Sequence, residues 1–416
     1  MNGRAGRAVF AGAQLAVVAP AFAIATIGIL LVYSAATGSR FSVITNHHMR
    51  QLFWFGLGTI AFFSASAIPF TLYEGLRAYV GWVVGVVLLA LVLAVGSSSL
   101  GAQRWLEVGG LRFQPSELAR LATVVALAQY LAGRRRNLMQ VRNLILPGVF
   151  AFLPMILILR QPDLGTSLSF PFILLAMLFW AGLPLPFLGL LASPVVSLTT
   201  GFSATSWGLF AVAFVLTLYW CFVRHRLRWV PVIALVVVNL AVGIATPHIW
   251  GGLKEYQRDR ITAFLNPTRD RHGSGYQIIQ SEIAIGSGGL LGQGYLQGTQ
   301  KNFQFLPEKH TDFVFSVVGE EFGFLGCMVV LGLYLVLLSG VIEIAQRARS
   351  RFAGLLAFGI GAHLFFNMVV NVGVTVGFAP VTGLPLPLLS YGGTALLINL
   401  TALGLVVGVG RHRHEY

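Results

Sequence analysis

Twelve apolar runs follow one another along this chain of 416 residues, at 14–35, 51–70, 77–96, 116–132, 143–160, 166–182, 186–200, 206–223, 229–248, 313–342, 352–376 and 391–410. Most approach the roughly 20 residues that a helix needs to cross a bilayer. In lipid the backbone polar groups of such segments are satisfied within helices, so the pattern excludes an ordinary soluble fold. Only 10% of the residues are charged, against about 25% in soluble domains. The expected fold is all-α: a polytopic integral membrane protein, a single domain over 1–416, with about 10–12 transmembrane helices and one long extracytoplasmic loop. The first run follows Arg4 and Arg7 but is too long for a cleaved signal, and reads as a retained helix. The run at 186–200 is the weakest, because Pro184, Pro186 and Pro194 could break it or make it re-entrant. It enters the topology together with 206–223, as an apolar pair within 183–228.

The net charge of +14 would suggest nucleic acid in a soluble protein. In a membrane protein its distribution carries the meaning. With the N-terminus inside, the inner segments hold Arg4, Arg7, Arg77, the Arg134/Arg135/Arg136/Arg142 cluster, Arg224, Arg226, Arg228, Arg347, Arg349, Arg351, Arg411 and Arg413, against Glu74, Glu343 and Glu415. That makes the inner side about +12 and the rest about +2, as the positive-inside rule requires. Both termini are then cytoplasmic, no nucleic-acid partner is implied, and the arginine clusters are topological. Cys221 and Cys327 sit inside apolar runs, so neither a disulfide framework nor a cysteine metal site is expected.

The outward segments concentrate the remaining polar chemistry. The longest is 249–312, unusually long for a connection; shorter ones are 97–115 (SSSLGAQRWLEVGGLRFQP) and 161–165 (QPDLG). In FLPEKHTDFVFSVVGEEFGFLG, 305–326, Thr311 is a suitable N-cap, which places Asp312 in the first turn of a helix, where an anion is favoured. Asp312 is either only that or, flanked by Glu308, Lys309 and His310, a general base towards a hydroxyl or a ligand of a divalent cation. Glu320 and Glu321 follow two turns later inside an otherwise apolar helix. Arg258 and Arg260 in YQRDRITAFLNPTRD could grip a pyrophosphate or pair with Asp259, Glu255 or lipid headgroups. Arg104 and Arg112 carry the same two readings. The glycine run 283–300 has no Lys-Ser/Thr ending, so it reads as flexible backbone beside a substrate groove rather than a nucleotide loop. Glu117 and Arg120, three residues apart, should pair. His363, Asn367 and Asn371 line one helix face and suit interhelical hydrogen bonds. Asp163 is either an N-cap or a wall of the outer cavity. No metal-ligand set is read from these residues.

QRWL (103–106), FQPSELARL (113–121), QPDLGTS (161–167), YQRDRI (256–261), GSGYQIIQSEIAIGSGGLLGQG (273–294), GTQ (298–300), the 305–326 segment and GLPLPLLSYGGTALL (383–397) occur in order along the whole chain. Together they resemble the SEDS family (shape, elongation, division and sporulation), its rod-shape branch more than its division branch. The resemblance implies a peptidoglycan glycosyltransferase of the bacterial inner membrane that polymerises lipid II into glycan strands and releases undecaprenyl pyrophosphate, with the site facing outside. By the family's HTDF motif, Asp312 would be the catalytic base, taking the proton from the acceptor's 4-hydroxyl. Arg104, Arg258 and Arg260, with Glu308, Lys309 and His310 nearby, would bind substrate and pyrophosphate, and Asp163, Glu117, Arg120, Glu320 and Glu321 would support them. No cofactor is certain, and a divalent cation, Mg or Mn, could assist. The implied partners are a class B penicillin-binding protein that supplies transpeptidation, lipid II and the nascent strand, and other membrane proteins of the elongation machinery. The chain departs from the family's roughly ten spans by the pair within 183–228. Rival readings are a lipid II flippase, whose polar groups should lie near the bilayer midplane, and a non-catalytic scaffold for a penicillin-binding protein.

Overall fold

The computed structural model describes residues 2–37, 47–99, 102–108, 111–133, 138, 140, 142–225, 229–252, 255–267, 273–298 and 311–411. Each of the twelve apolar runs is helical: α1 (Asn2–Thr37), α2 (His47–Ala67), α3 (Leu76–Val95), α4 (Pro115–Ala132), α5 (Arg142–Arg160), α6 (Leu164–Trp180), α7 (Leu185–Thr200), α8 (Ala204–His225), α9 (Trp229–Gly252), α12 (Val314–Arg347), α13 (Arg351–Thr375) and α14 (Gly393–Arg411). Among the described residues seven helices, α1, α3, α5, α8, α12, α13 and α14, are long and apolar enough to cross a membrane, and α6, α7 and Val232–His248 of α9 are shorter apolar helices. The prolines do not break α7. Pro184 sits at its N-cap and Pro186 in its first turn, where no intrahelical amide is lost, and the helix runs on through Pro194.

The segment expected as one long loop carries two helices, α10 (Glu255–Leu265) and α11 (Ser274–Ser287). The 97–115 loop likewise contains a small antiparallel sheet that the all-α expectation did not include. β1 (Ser97–Ser99) pairs with β2 (Ala102–Val108), and β2 pairs with β3 (Leu111–Phe113) in the register Leu106↔Phe113 and Glu107↔Arg112. The last pair explains Arg112, whose Nε donates to Glu107 Oε1 at 2.7 Å across the strands.

At the centre, α13 packs on α4, α6, α12 and α14, while α1 lies along α12 and α2 along α14. Trp180 stacks on Phe358 with ring centroids 4.2 Å apart, fixing α6 against α13. The pair α7 and α8 stands with α9 in a separate apolar cluster of Leu190, Phe214, Leu218 and Cys221. There Asn239 of α9 donates to Ser193 Oγ at 2.8 Å, and Ser197 Oγ donates to Asn239 O at 2.9 Å. Interhelical hydrogen bonds of this kind hold helices together where lipid supplies no hydrophobic drive.

The glycine run has a task other than flexibility. α12 is broken at Gly323, at φ 64° and ψ −161°, a conformation open to glycine alone. The break frees backbone groups that would be costly in lipid. The segment after α11 satisfies them: Gln293 N and Gly294 N donate to Glu320 O and Glu321 O at 2.9 and 3.0 Å, and Phe324 N and Leu325 N donate to Gly289 O and Leu290 O at 2.9 and 3.1 Å. A Cβ on Gly323 would lie 2.4 Å from Gly292 N, so the exchange also depends on the absence of a side chain there.

Candidate active site

Asp312 lies in the turn Thr311–Phe313 immediately before α12. The N-cap is Phe313, not Thr311, and Asp312 precedes the helix instead of lying in its first turn. Burial decides this: Phe313 is fully enclosed in an apolar cluster with Ile278, Val374 and Val381, and that anchor sets where the helix begins. The carboxylate of Asp312 does not stand alone. Gly383 has φ +74°, and a methyl group built on it would lie 3.8 Å from Asp312 Oδ2 and 4.0 Å from Arg260 Nη1. Carboxylate and guanidinium therefore converge on one glycine, where the lack of a side chain leaves room beside both.

Two arginines that the sequence treated alike are separated. Residues two apart on a helix do not face each other. Arg260 of α10 brings Nη1 beside Gly383, as Asp312 brings its carboxylate, whereas Arg258 turns back and donates through Nη2 to Gly251 O at the end of α9. Thr262 Oγ1 in turn donates to Arg258 O at 3.0 Å.

A second cluster forms around Asp163. This residue is the N-cap of α6, accepting from Thr166 N at 3.1 Å and from Thr166 Oγ1 at 2.9 Å. It is also a partner of Arg104, whose Nη1 lies 3.8 Å from Asp163 Oδ2. Arg104 further donates to Gln161 O at 3.4 Å and to Pro162 O, so it ties the small sheet to the turn before α6. Glu117 and Arg120 form the expected ion pair, each side chain 2% exposed. Arg120 Nη1 also donates to Asn367 Oδ1 at 3.4 Å.

The two clusters meet at α13 and at the segment 382–384. Asn367 receives Arg120, and Asn371, one turn further on, donates to Asp312 O at 2.9 Å and to Leu384 O at 2.8 Å. Gly165 packs so closely that a Cβ on it would lie 2.4 Å from Thr382 O. The third polar residue of that face, His363, shares a hydrogen bond of 3.2 Å with Asn399 of α14. His363 and Asn367 thus make the interhelical bonds their spacing suggested, whereas Asn371 bonds to two non-helical segments.

Glu320 and Glu321 belong elsewhere. They sit about two turns into α12, which itself begins after Asp312, and each is 1% exposed. Glu321 Oε1 accepts from Leu296 N at 3.2 Å and from Ser34 Oγ of α1, and the Glu320 carboxylate lies beside Gly298. Both acids hold the glycine segment against the α12 break. Glu308, Lys309 and His310 lie outside the described residues. Among the described residues no group of three or more His, Cys, Asp or Glu gathers. A Mg or Mn ion near Asp312 would draw most of its oxygens from a pyrophosphate and water, as Mg commonly does. Sequence reasoning missed Gly383 and the bridging role of Asn371. The available signals were an amide inside an apolar helix and a glycine beside a Pro-rich, conformationally restricted stretch.

Comparison with known proteins places these features in context. A family model described as cell cycle protein, covering FtsW, RodA and SpoVE, matches residues 14–213 and 206–415. The chain is 37% identical over 390 residues to peptidoglycan glycosyltransferase MrdB of Escherichia coli K12, covering 92% of this chain and 91% of that protein. It is 34% identical over 418 residues to peptidoglycan glycosyltransferase RodA of Treponema pallidum, covering 93% and 95%. Among solved structures, a chain from a peptidoglycan synthase complex that coordinates polymerization and crosslinking superposes with a TM-score of 0.71 at 36% identity, over 96% of this chain and 98% of that one. The rod shape determining protein RodA of Thermus thermophilus superposes with a TM-score of 0.62 at 30% identity, over 96% and 97%.

Proposed function

The chain belongs to the FtsW, RodA and SpoVE family of cell cycle proteins and is a peptidoglycan glycosyltransferase of cell elongation, and we propose that it polymerises lipid II at the cluster built on Asp312. The observation that carries this reading is the convergence of Asp312 and Arg260 on Gly383. Glycosyl transfer from a pyrophosphate-linked donor needs a base for the acceptor hydroxyl and cationic charge for the leaving group. Asp312 takes the proton from the 4-hydroxyl of the acceptor's N-acetylglucosamine. That oxygen bonds to the anomeric carbon of the donor chain as the bond to undecaprenyl pyrophosphate breaks. Arg260 stabilises the departing pyrophosphate, with the geometric match of guanidinium to phosphate oxygens.

Arg104 supports the site indirectly, holding Asp163 and the turn before α6, and Arg258 does so by fixing α10 on α9. The test is direct: purified protein supplied with lipid II in detergent or nanodiscs should yield glycan polymer on a gel. If no polymer forms and lipid II instead crosses the bilayer of liposomes, the flippase reading replaces this one.

The chain is a multi-pass protein of the inner membrane. Its inner-segment charge supports cytoplasmic termini and an outward site. A cysteine introduced as Lys301→Cys should therefore be labelled from outside intact cells by an impermeant thiol reagent, and protection of that position refutes the orientation. The structural likeness to a chain of a polymerizing and crosslinking complex supports a class B penicillin-binding protein as partner. The nascent glycan strand and other elongation proteins complete the proposed set.

A further inference from the structure

Asn371 is buried at 1% exposure on α13 and uses both protons of one amide on two backbone carbonyls, Asp312 O at 2.9 Å and Leu384 O at 2.8 Å. The carboxamide carries two donors on its nitrogen and only acceptors on its oxygen, so turning it over would set Oδ1 against two carbonyl oxygens. The orientation is thus determined by the bonds themselves. The two carbonyls belong to the two segments that make the site. One is that of Asp312, from which its side chain departs; the other lies one residue after Gly383, the glycine on which Asp312 Oδ2 and Arg260 Nη1 converge.

Asn371 spans these two segments directly. The turn Thr311–Phe313 is non-helical, and the chain from 380 to 386 is irregular. Neither has a ladder of its own to hold its register. Phe313 anchors the turn from one side by burial, in the cluster that includes Val374 of α13 and Val381 of the irregular stretch. Burial sets depth but little direction, since apolar contact is non-directional. Hydrogen bonds supply the direction, and in a water-poor interior they are not competed away.

We infer that Asn371 is a positioning residue for glycosyl transfer: its amide sets the Asp312 carboxylate at the distance from Gly383 and Arg260 that the reaction needs. This rests on the assignment of Asp312 as the base. Asn371 touches no reacting atom in this scheme and acts through Asp312. The neighbouring Asn367 does not share the role, since it is bonded to Arg120 in the other cluster.

The test uses the full chain in nanodiscs with lipid II, measuring kcat, KM and the thermal melting of each variant. Asn371→Leu keeps the volume and removes both donors. Its kcat should fall about 100-fold, the scale of a misplacement near 1 Å, with KM within about 2-fold because ground-state binding is untouched. Asn371→Gln keeps both donors on a longer stem and should recover at least about 10-fold of that loss. Wild-type kcat in a folded leucine variant overturns the inference, and so does a loss expressed in KM alone. If the leucine variant does not fold, the glutamine variant decides: folded and inactive, it overturns the inference. Asp312→Asn measured alongside separates the two claims. Polymer at full rate from that variant sinks the assignment of the base, whereas an inactive Asp312→Asn beside a fully active Asn371→Leu sinks only the positioning role.

Discussion

Asp312→Asn is expected to reduce glycan polymerisation by about 1,000-fold, within the range that general-base catalysis contributes, while leaving the protein folded and in the membrane. The substitution preserves size and the backbone carbonyl that Asn371 holds, and removes only the basic oxygen. Its structural cost should be small for the same reason. Phe313, not Asp312, caps α12, and the apolar anchor of the turn stays in place. Polymer formation from labelled lipid II measures the loss, and size-exclusion behaviour with thermal melting verifies the fold. If the asparagine variant makes polymer at the wild-type rate, Asp312 is not the base. A scaffold for a penicillin-binding protein would show no such dependence in its own polymerisation assay, because it would make no polymer at all.

The second large effect concerns stability. Glu117 and Arg120 are both almost wholly excluded from the surface, at 3% and 1% exposure. Glu117→Leu leaves the Arg120 guanidinium in the interior with Asn367 as its remaining neutral partner. Breaking a buried pair from one side costs about 3–5 kcal/mol, since the surviving charge is uncompensated. The melting temperature of the purified protein should drop sharply. Replacing both members, Glu117→Leu with Arg120→Met, should regain most of that stability, because a well-packed apolar pair often matches a buried ion pair. The double variant is not expected to regain full activity, as Arg120 also orders Asn367 on the face that carries Asn371. A Glu117→Leu protein that melts with the wild type contradicts this account of the pair.

Much of this molecule was legible in its residues. The twelve apolar runs appear as twelve helices, since no other local structure satisfies the backbone of such segments in lipid. The Glu117–Arg120 pair was legible because i, i+3 spacing places both groups on one helix face, independent of anything distant. The cap on α12 was not. Thr311 is a better capping residue than Phe313 by local chemistry, but burial of a phenylalanine outweighs one capping bond of about 1 kcal/mol. The two helices and three strands in the polar segments were missed for a related reason. Short elements with weak periodicity take their structure from what they pack against, as α11 does from α12.

Arg258 and Arg260 show where local reading stops. Two residues apart in one motif, they were given one role, and the structure sends one guanidinium to the end of α9 and the other to Gly383, beside which the Asp312 carboxylate also lies. Glu320 and Glu321 divide from Asp312 in the same way, by about two turns of helix. The sequence by itself determined the solvent, the helical class and the small set of polar residues able to do chemistry, because hydropathy, side-chain charge and motif order are properties of the chain. Only the tertiary structure decided which of those residues share a site. That Asp312, Arg260, Gly383 and Asn371 gather depends on segments of α10, of the turn before α12, of α13 and of the stretch after it, and such a gathering arises from packing, which no local pattern encodes.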